Sequence, residues 1–292
     1  MKRLAALAAA MTAAFAPASA LAADFQPTRF TDQIVGQGPD VILIPGLASS
    51  RAVWDAETAK LKDHYRLHLI QVNGFGGAAA GPNASGPVLQ PTVDELHQYL
   101  VASRLTGAPV IGHSLGGLMG LVLAEQHPDD VKRLLIVDSF PFAGVMFAGP
   151  TASVAMIEPR AGKMRDKIVA ETQDAYAAGE DAQIARLVKS PDGHTLALAM
   201  AKASDHAVVA QAFYDDLTTD ARPDLPKVKA KVTVIYPADA SLGAPESVDP
   251  LYQGSFASLP DKQFVRIDDS RHFIMYDQPE AFDRTVKAFL AR

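Results

Sequence analysis

Short runs of consecutive apolar residues recur along the chain, and each run ends in residues typical of turns. We interpret six of these runs as strands, at 40–46, 67–74, 108–114, 131–139, 231–239 and 262–268. Their hydrophobicity is continuous rather than alternating, which predicts strands buried on both faces. The pattern therefore indicates a mainly parallel sheet.

Stretches with helical spacing separate the runs. They lie at 53–61, 93–105, 115–126 and 247–259, with a final helix from Pro279. Proline suits the first turn of that last helix, and its apolar residues share one face. These residues are Phe282, Val286, Phe289 and Leu290. Alternation of strand and helix predicts an α/β fold with a doubly wound sheet.

Residues 141–222 interrupt the alternation. The segment is rich in alanine, methionine and charged residues, contains no convincing strand, and predicts helices such as 163–178 and 194–217. We interpret it as a helical cap, or lid, inserted between two strands of the sheet. The core would then consist of 23–140 and 223–292.

The first residues have the order of a secretory signal. Lys2 and Arg3 precede an apolar run through Phe15, and small residues follow. The run is shorter than the roughly 20 residues of a membrane-spanning helix. The pattern predicts a signal peptide at 1–22 with cleavage within 20–23, export to the periplasm or medium, and no stable membrane span in the mature chain.

Composition narrows the possible functions. The 292 residues are 48% hydrophobic, enough for one large core, and the formal net charge of −6 argues against nucleic-acid binding. The chain has no cysteine, so thiol catalysis and cysteine-based metal sites are excluded. Histidine spacing such as H-E-x-x-H is also missing, and we expect no metal site and no organic cofactor.

The stretch "GHSLGG" places Gly112 and Gly116 two residues before and after Ser114, between a predicted strand and a predicted helix. This is the G-x-S-x-G nucleophile elbow, a sharp turn that lifts the serine oxygen above the sheet and leaves no room for flanking side chains. From about Asp40 onward, apart from the cap, the chain resembles the α/β-hydrolase superfamily, and within it serine hydrolases of the carboxylesterase kind.

The resemblance implies a catalytic triad in the order serine, acid, histidine. Ser114 would be the nucleophile. His272 would be the general base, because it follows the last predicted strand and precedes the last helix. We favour Asp239, at the end of the strand after the cap, as the acid. Asp138, at the end of the preceding strand, is the alternative.

The resemblance also implies an oxyanion hole made by the backbone N–H groups of Leu47, after Pro45-Gly46, and Leu115, after the nucleophile. His113, although adjacent to Ser114, is not expected to be its base. Neighbouring side chains at a strand end point in opposite directions, so His113 should be a hydrogen-bonded structural residue.

The implied reaction is acyl transfer to water through an acyl-enzyme. A serine nucleophile argues against the dehalogenases and epoxide hydrolases of the superfamily, which use aspartate there. We expect a small to medium, hydrophobic carboxylic ester as the small-molecule substrate. Alternative substrates are a lactone, a proline-iminopeptidase substrate or a carbon–carbon bond, and the alternative of a different class is a non-catalytic ligand-binding protein. The sequence does not indicate the oligomeric state.

Overall fold

A computed structural model describes residues 25–242 and 245–291 of the chain. The predicted signal peptide and its cleavage site lie outside these residues. Across the described ranges, no helix combines the length and the apolar character that crossing a membrane requires.

The described residues form a sheet of seven strands in the order β1-β3-β2-β4-β5-β6-β7. The strands are β1 (Phe30–Gly36), β2 (Asp40–Ile44), β3 (Arg66–Val72), β4 (Ala108–His113), β5 (Val131–Val137), β6 (Lys231–Ala238) and β7 (Lys262–Asp268). All neighbours pair in parallel except β1, which is antiparallel to β3. The prediction of a mainly parallel sheet is confirmed.

Strand β1 was missing from the sequence prediction. It lies at the edge of the sheet, where it pairs from Phe30 opposite Val72 to Gly36 opposite Arg66. Most of its side chains are partly or fully exposed. An edge strand needs no continuous apolar run, so the pattern that found the other six strands does not reveal it.

The sheet is covered on both faces by separate hydrophobic clusters. In β2, Ile42 and Ile44 pack into one cluster, whereas Val41 and Leu43 pack into the other. The same division holds in β5, where Leu134 and Leu135 face opposite clusters. Burial on both faces explains the continuous hydrophobic runs in the sequence.

The helices of the core are α1 (Asp55–Leu61), α2 (Leu89–Ala102) and α3 (Leu115–Gln126). Between β5 and β6 lie the cap helices α4 (Val145–Ala148), α5 (Val154–Val169), α6 (Gln173–Leu187), α7 (Pro191–Ala203) and α8 (His206–Thr218). The chain closes with α9 (Pro245–Ser255), α10 (Ile274–Asp277) and α11 (Pro279–Leu290). Helix α11 begins at Pro279 as predicted and buries its four apolar residues.

Two predicted cap helices are each divided in the structure. The predicted helix 163–178 spans the end of α5 and the start of α6, where the Thr172 side chain caps α6 by accepting a hydrogen bond from the Ala175 N–H. The predicted helix 194–217 is divided before α8, which Asp205 caps by accepting bonds from two backbone N–H groups. Capping side chains of this kind start a new helix, and helical periodicity alone does not register them.

Candidate active site

Ser114 lies in a strained turn between β4 and α3. Its backbone dihedrals are φ 53° and ψ −125°, in the left-handed region that non-glycine residues rarely adopt. Its N–H donates a 2.9 Å hydrogen bond to the carbonyl of Val137 at the end of β5. Strain of this kind is held only where the surrounding structure imposes it, and it is common at catalytic positions.

The two motif glycines make this turn possible. A Cβ atom at Gly112 would lie 2.2 Å from the carbonyl oxygen of Gly116. A Cβ atom at Gly116 would lie 2.4 Å from the carbonyl oxygen of Ile44, at the end of β2. Both distances are too short for any side chain, so the steric reason for the motif is confirmed.

His272 lies in the loop between β7 and α10, and its Nδ1 is 2.6 Å from Oδ2 of Asp138. Asp138 follows the last residue of β5, with a left-handed φ of 47°. The other carboxylate oxygen, Oδ1, accepts a hydrogen bond from the hydroxyl of Tyr252 on α9. The structure therefore brings together His272 and the acid that the sequence prediction placed second.

The preference for Asp239 as the partner of His272 is contradicted by these contacts. Asp239 does follow β6, but its Oδ2 accepts a 2.7 Å bond from Nζ of Lys189, in the cap. Its Oδ1 accepts a bond from the N–H of Ser241 and lies 3.5 Å from Nε of Arg271. The hydrogen bond from Lys189 is the main reason why the pKa of Asp239 is well below its ordinary value.

Tyr252 is a further residue that the sequence analysis missed. It is buried, and its ring stacks on Phe140 and Tyr236 with centroid separations of 4.4 Å. Burial, followed by the neighbouring charge of Asp138, raises its pKa, so the hydroxyl keeps the proton that it donates to Asp138. No local motif marks such a residue, because it comes from a helix 114 positions after Asp138.

The segment predicted to form the oxyanion hole lies against the elbow. A Cβ atom at Gly46 would approach the Cβ atom of Ser114 to 2.9 Å, so the backbone passes directly beside the serine. Within 25–242 and 245–291, the N–H groups of Leu47 and Leu115 make no hydrogen bond to another residue. Two unpaired backbone donors beside a serine are the requirement for binding an oxyanion, and this role of Leu47 and Leu115 stays a prediction.

His113 is fully buried and does not act as the partner of Ser114. Its Nε2 donates a 3.0 Å hydrogen bond to the backbone carbonyl of His272. Burial, followed by repulsion from His272, places its pKa well below the ordinary value, so the ring is neutral. The interpretation of His113 as a structural residue is confirmed, and the structure adds that it holds the backbone of His272.

A second ionisable group, Asp216 on cap helix α8, interacts electrostatically with His272. Burial raises its pKa to about 7, and the electrostatic interaction with His272 opposes the rise. The adjacent Asp215 has other partners, and its Oδ2 accepts bonds from the backbone N–H groups of Val88 and Leu89. No sequence motif marks Asp216, since only the folding of the cap places it near the histidine.

The cap is also bonded to the loop that carries His272. The N–H of Phe273 donates a 3.0 Å bond to the carbonyl of Leu187, at the end of α6. Asp277 accepts bonds from the backbone N–H groups of Lys189 in the cap and of Arg271 in the loop. The position of His272 therefore depends on the cap as well as on the sheet.

Two curated proteins match part of this chain. The chain is 35% identical over 109 residues to a pimeloyl-[acyl-carrier protein] methyl ester esterase of Vibrio cholerae, covering 37% of this chain and 40% of the relative. It is 36% identical over 102 residues to a putative carbamate hydrolase of Yersinia enterocolitica, covering 35% and 36%. The chain thus spans less than half the length of these curated relatives.

Solved structures match over most of the chain. An enol-lactonase from Burkholderia xenovorans superimposes with a TM-score of 0.72 and 21% identity, covering 90% of this chain and 96% of that one. A thermophilic esterase from Thermogutta terrifontis gives a TM-score of 0.74 and 20% identity, covering 90% and 93%. At this level of identity the likeness shows the fold.

The model of one family, described as the alpha/beta hydrolase family, matches residues 41–285. That range contains the elbow, the cap and the His272 loop. The expectation drawn from "GHSLGG" is confirmed, and the chain belongs to the alpha/beta hydrolase family.

Proposed function

We propose that this protein is a serine hydrolase that cleaves carboxylic esters through an acyl-enzyme, with Ser114, His272 and Asp138 as its triad. The observation that carries the proposal is the 2.6 Å contact between His272 and Asp138. It is linked to the strained elbow of Ser114 by the hydrogen bond from the adjacent His113 to the His272 carbonyl. Ester and lactone hydrolases among the relatives and the structural neighbours support the same reaction class.

The hydrogen bonds support a role for each group. A carboxylate only accepts, so Nδ1 of His272 carries the proton that Asp138 accepts, and Nε2 keeps its lone pair. Nε2 then takes the Ser114 proton as the oxygen attacks the ester carbonyl. The Leu47 and Leu115 N–H groups stabilise the oxyanion, His272 protonates the leaving alcohol, and water releases the acid by the reverse sequence.

The substrate side of the proposal rests on the cap. The start of the cap is aromatic, but Phe142 is fully buried under the guanidinium of Arg222, at 4.6 Å from the ring centroid. Phe140 stacks on Tyr252. These rings support a cap that is packed onto the core, and Asp216 adds a polar group near His272. We propose a small to medium ester, with export directed by residues 1–22.

The test uses short-chain p-nitrophenyl esters with the mature protein, Ser114→Ala, and a fluorophosphonate label. We expect ester hydrolysis that falls by about 10⁴-fold or more in Ser114→Ala, since the nucleophile is lost. The label should attach to Ser114 in the unsubstituted protein and not in the variant.

Two results would overturn the proposal. A folded protein that neither hydrolyses esters nor takes up the label would support a non-catalytic ligand-binding role. Labelling without ester turnover, combined with turnover of a lactone, a prolyl anilide or a carbon–carbon bond substrate, would keep the triad but replace the ester.

A further inference from the structure

Three side chains with metal-binding atoms come together at the end of the parallel strands opposite the candidate active site. His97 lies on α2, His127 directly follows α3, and Asp130 directly precedes β5. Asp138 of the proposed triad follows the other end of β5. The seven-residue strand, at roughly 3.3 Å per residue, separates the two places by about 23 Å.

The three groups are close enough to share one ion. One ligand atom from each residue lies within 4.8 Å of the others. Nδ1 of His97 is 2.6 Å from Oδ2 of Asp130, and the rings of His97 and His127 stack with centroids 3.5 Å apart and planes 6° apart. Asp130 is 4% exposed, whereas both imidazole rings are half-buried and reach solvent.

The contact with Asp130 also determines the tautomer of His97. Because the carboxylate only accepts, Nδ1 of His97 carries the proton and Nε2 presents a lone pair. A carboxylate bonded to one ring nitrogen while the other faces the ion is the usual support of a metal-bound histidine. Asp130 can therefore orient His97 or supply an oxygen ligand itself.

The backbone holds two of the three residues in a tight loop. The Asp130 N–H donates a 3.0 Å bond to the His127 carbonyl, and the His127 N–H donates a 2.8 Å bond to Leu123 of α3. The Asp130 carbonyl accepts a 2.7 Å bond from Gly107. A tetrahedral site with 2.0–2.1 Å bonds has ligand atoms roughly 3.4 Å apart, so the three side chains would have to rotate closer together within this frame.

The local charge favours a cation. Asp94 lies three residues before His97 on α2, on the same side of the helix, and interacts electrostatically with His127. Asp129 adds a further carboxylate next to Asp130 and is paired at 3.2 Å with Lys229, which is largely exposed.

We propose that His97, His127 and Asp130 form a binding site for a divalent transition metal, with Zn²⁺ as the ion that best fits two imidazoles and one carboxylate. No metal site was expected from the sequence, because the two histidines are 30 positions apart and form no short motif. The bound ion would join α2 to the connection between α3 and β5. Its place, far from Ser114, makes its role structural rather than catalytic.

The test is isothermal titration of tag-free mature protein with ZnCl₂, compared with His97→Ala and His127→Ala. We expect one ion per chain, an affinity loss of about 100-fold or more in each of these two variants, and a melting temperature that rises with Zn²⁺ in the unsubstituted protein but not in either variant. His64→Ala, which removes an exposed histidine elsewhere, is the matched control and should bind like the unsubstituted protein. Ester hydrolysis should be equal with and without the ion.

Failure of the site is distinguishable from failure of folding. Circular dichroism shows whether each variant is folded. If a variant is unfolded, the test is made on the unsubstituted protein by histidine modification with diethylpyrocarbonate, mapped by mass spectrometry. Zn²⁺ should protect His97 and His127 from this modification, but not His64. The proposal is overturned if Zn²⁺ does not bind, if binding persists in His97→Ala, or if neither histidine is protected.

Discussion

Asp138 and Asp239 occupy equivalent places at the ends of two adjacent parallel strands, β5 and β6, yet their surroundings differ. Asp138 contacts the Tyr252 hydroxyl and the His272 ring. Asp239 contacts the Lys189 ammonium, the Ser241 backbone and the edge of Arg271. One carboxylate is left to stabilise a histidine, and the other connects the cap to the core.

The difference shows why strand-end position alone is insufficient to identify the partner of His272. The side chain of Asp138 is 11% exposed and that of Asp239 is 9% exposed, so burial does not distinguish them. The partners do. A carboxylate already bonded to a lysine has less to offer a developing imidazolium, whereas no lysine or arginine is among the described contacts of Asp138.

The largest expected effect tests this contrast directly. Asp138→Asn should lower kcat/KM for an ester by about 10⁴-fold, because the amide no longer holds the required tautomer or stabilises the imidazolium. Asp239→Asn should retain most of the activity. Steady-state kinetics of the two variants is the measurement, and the opposite order of losses would return the acid to Asp239.

Tyr252→Phe tests how much the hydroxyl donor of Asp138 contributes. The variant keeps the stacked ring but leaves one carboxylate oxygen without its donor, and we expect kcat/KM to fall by about 10-fold. Tyr236→Phe is the matched control, since its ring stacks on Tyr252 while its hydroxyl donates to Asp249. Equal losses in both variants would show that the effect comes from packing.

A smaller effect concerns stability at Asp239. Its pKa lies below the ordinary value of 3.8, so its ionised form stabilises the folded chain above about pH 4, and this contribution is lost as the pH falls further. Asp239→Asn should lower the melting temperature by a few degrees at pH 7 and by less near pH 3.

The control is Asp166→Asn, which removes an exposed partner of Arg165 and should change little. A melting temperature unchanged by Asp239→Asn at pH 7 would contradict the role of Asp239 in holding the cap.

The smallest effect is expected at Asp216, the third carboxylate of this region. Its pKa of about 7 lies above the ordinary value of 3.8, so the folded chain loses stability as the pH rises between these values. Asp216→Asn should melt slightly higher than the unsubstituted protein at pH 8 and equally at pH 4. The control is Asp63→Asn, which replaces an exposed aspartate. A difference in melting temperature that does not depend on pH, or that Asp63→Asn also shows, would contradict the raised pKa of Asp216.

Much of the fold could be predicted from the sequence because its causes are local. Burial of a strand on both faces requires a continuous apolar run, which identified six strands of the sheet. The nucleophile elbow could be predicted because any side chain at Gly112 or Gly116 would collide with nearby backbone, so both positions must be glycine. Edge strand β1 was not predicted, since a half-exposed strand has a mixed pattern of apolar and polar residues.

The sequence by itself determined the α/β class, the serine elbow and the position of His272 after the last strand. Only the tertiary structure decided that Asp138 rather than Asp239 meets the histidine, because both follow a strand and both satisfy the chain order. That choice depends on Tyr252 and Lys189, which come from distant helices and the cap. Contacts between residues so far apart in the chain are set by packing, and no local pattern of side chains encodes them.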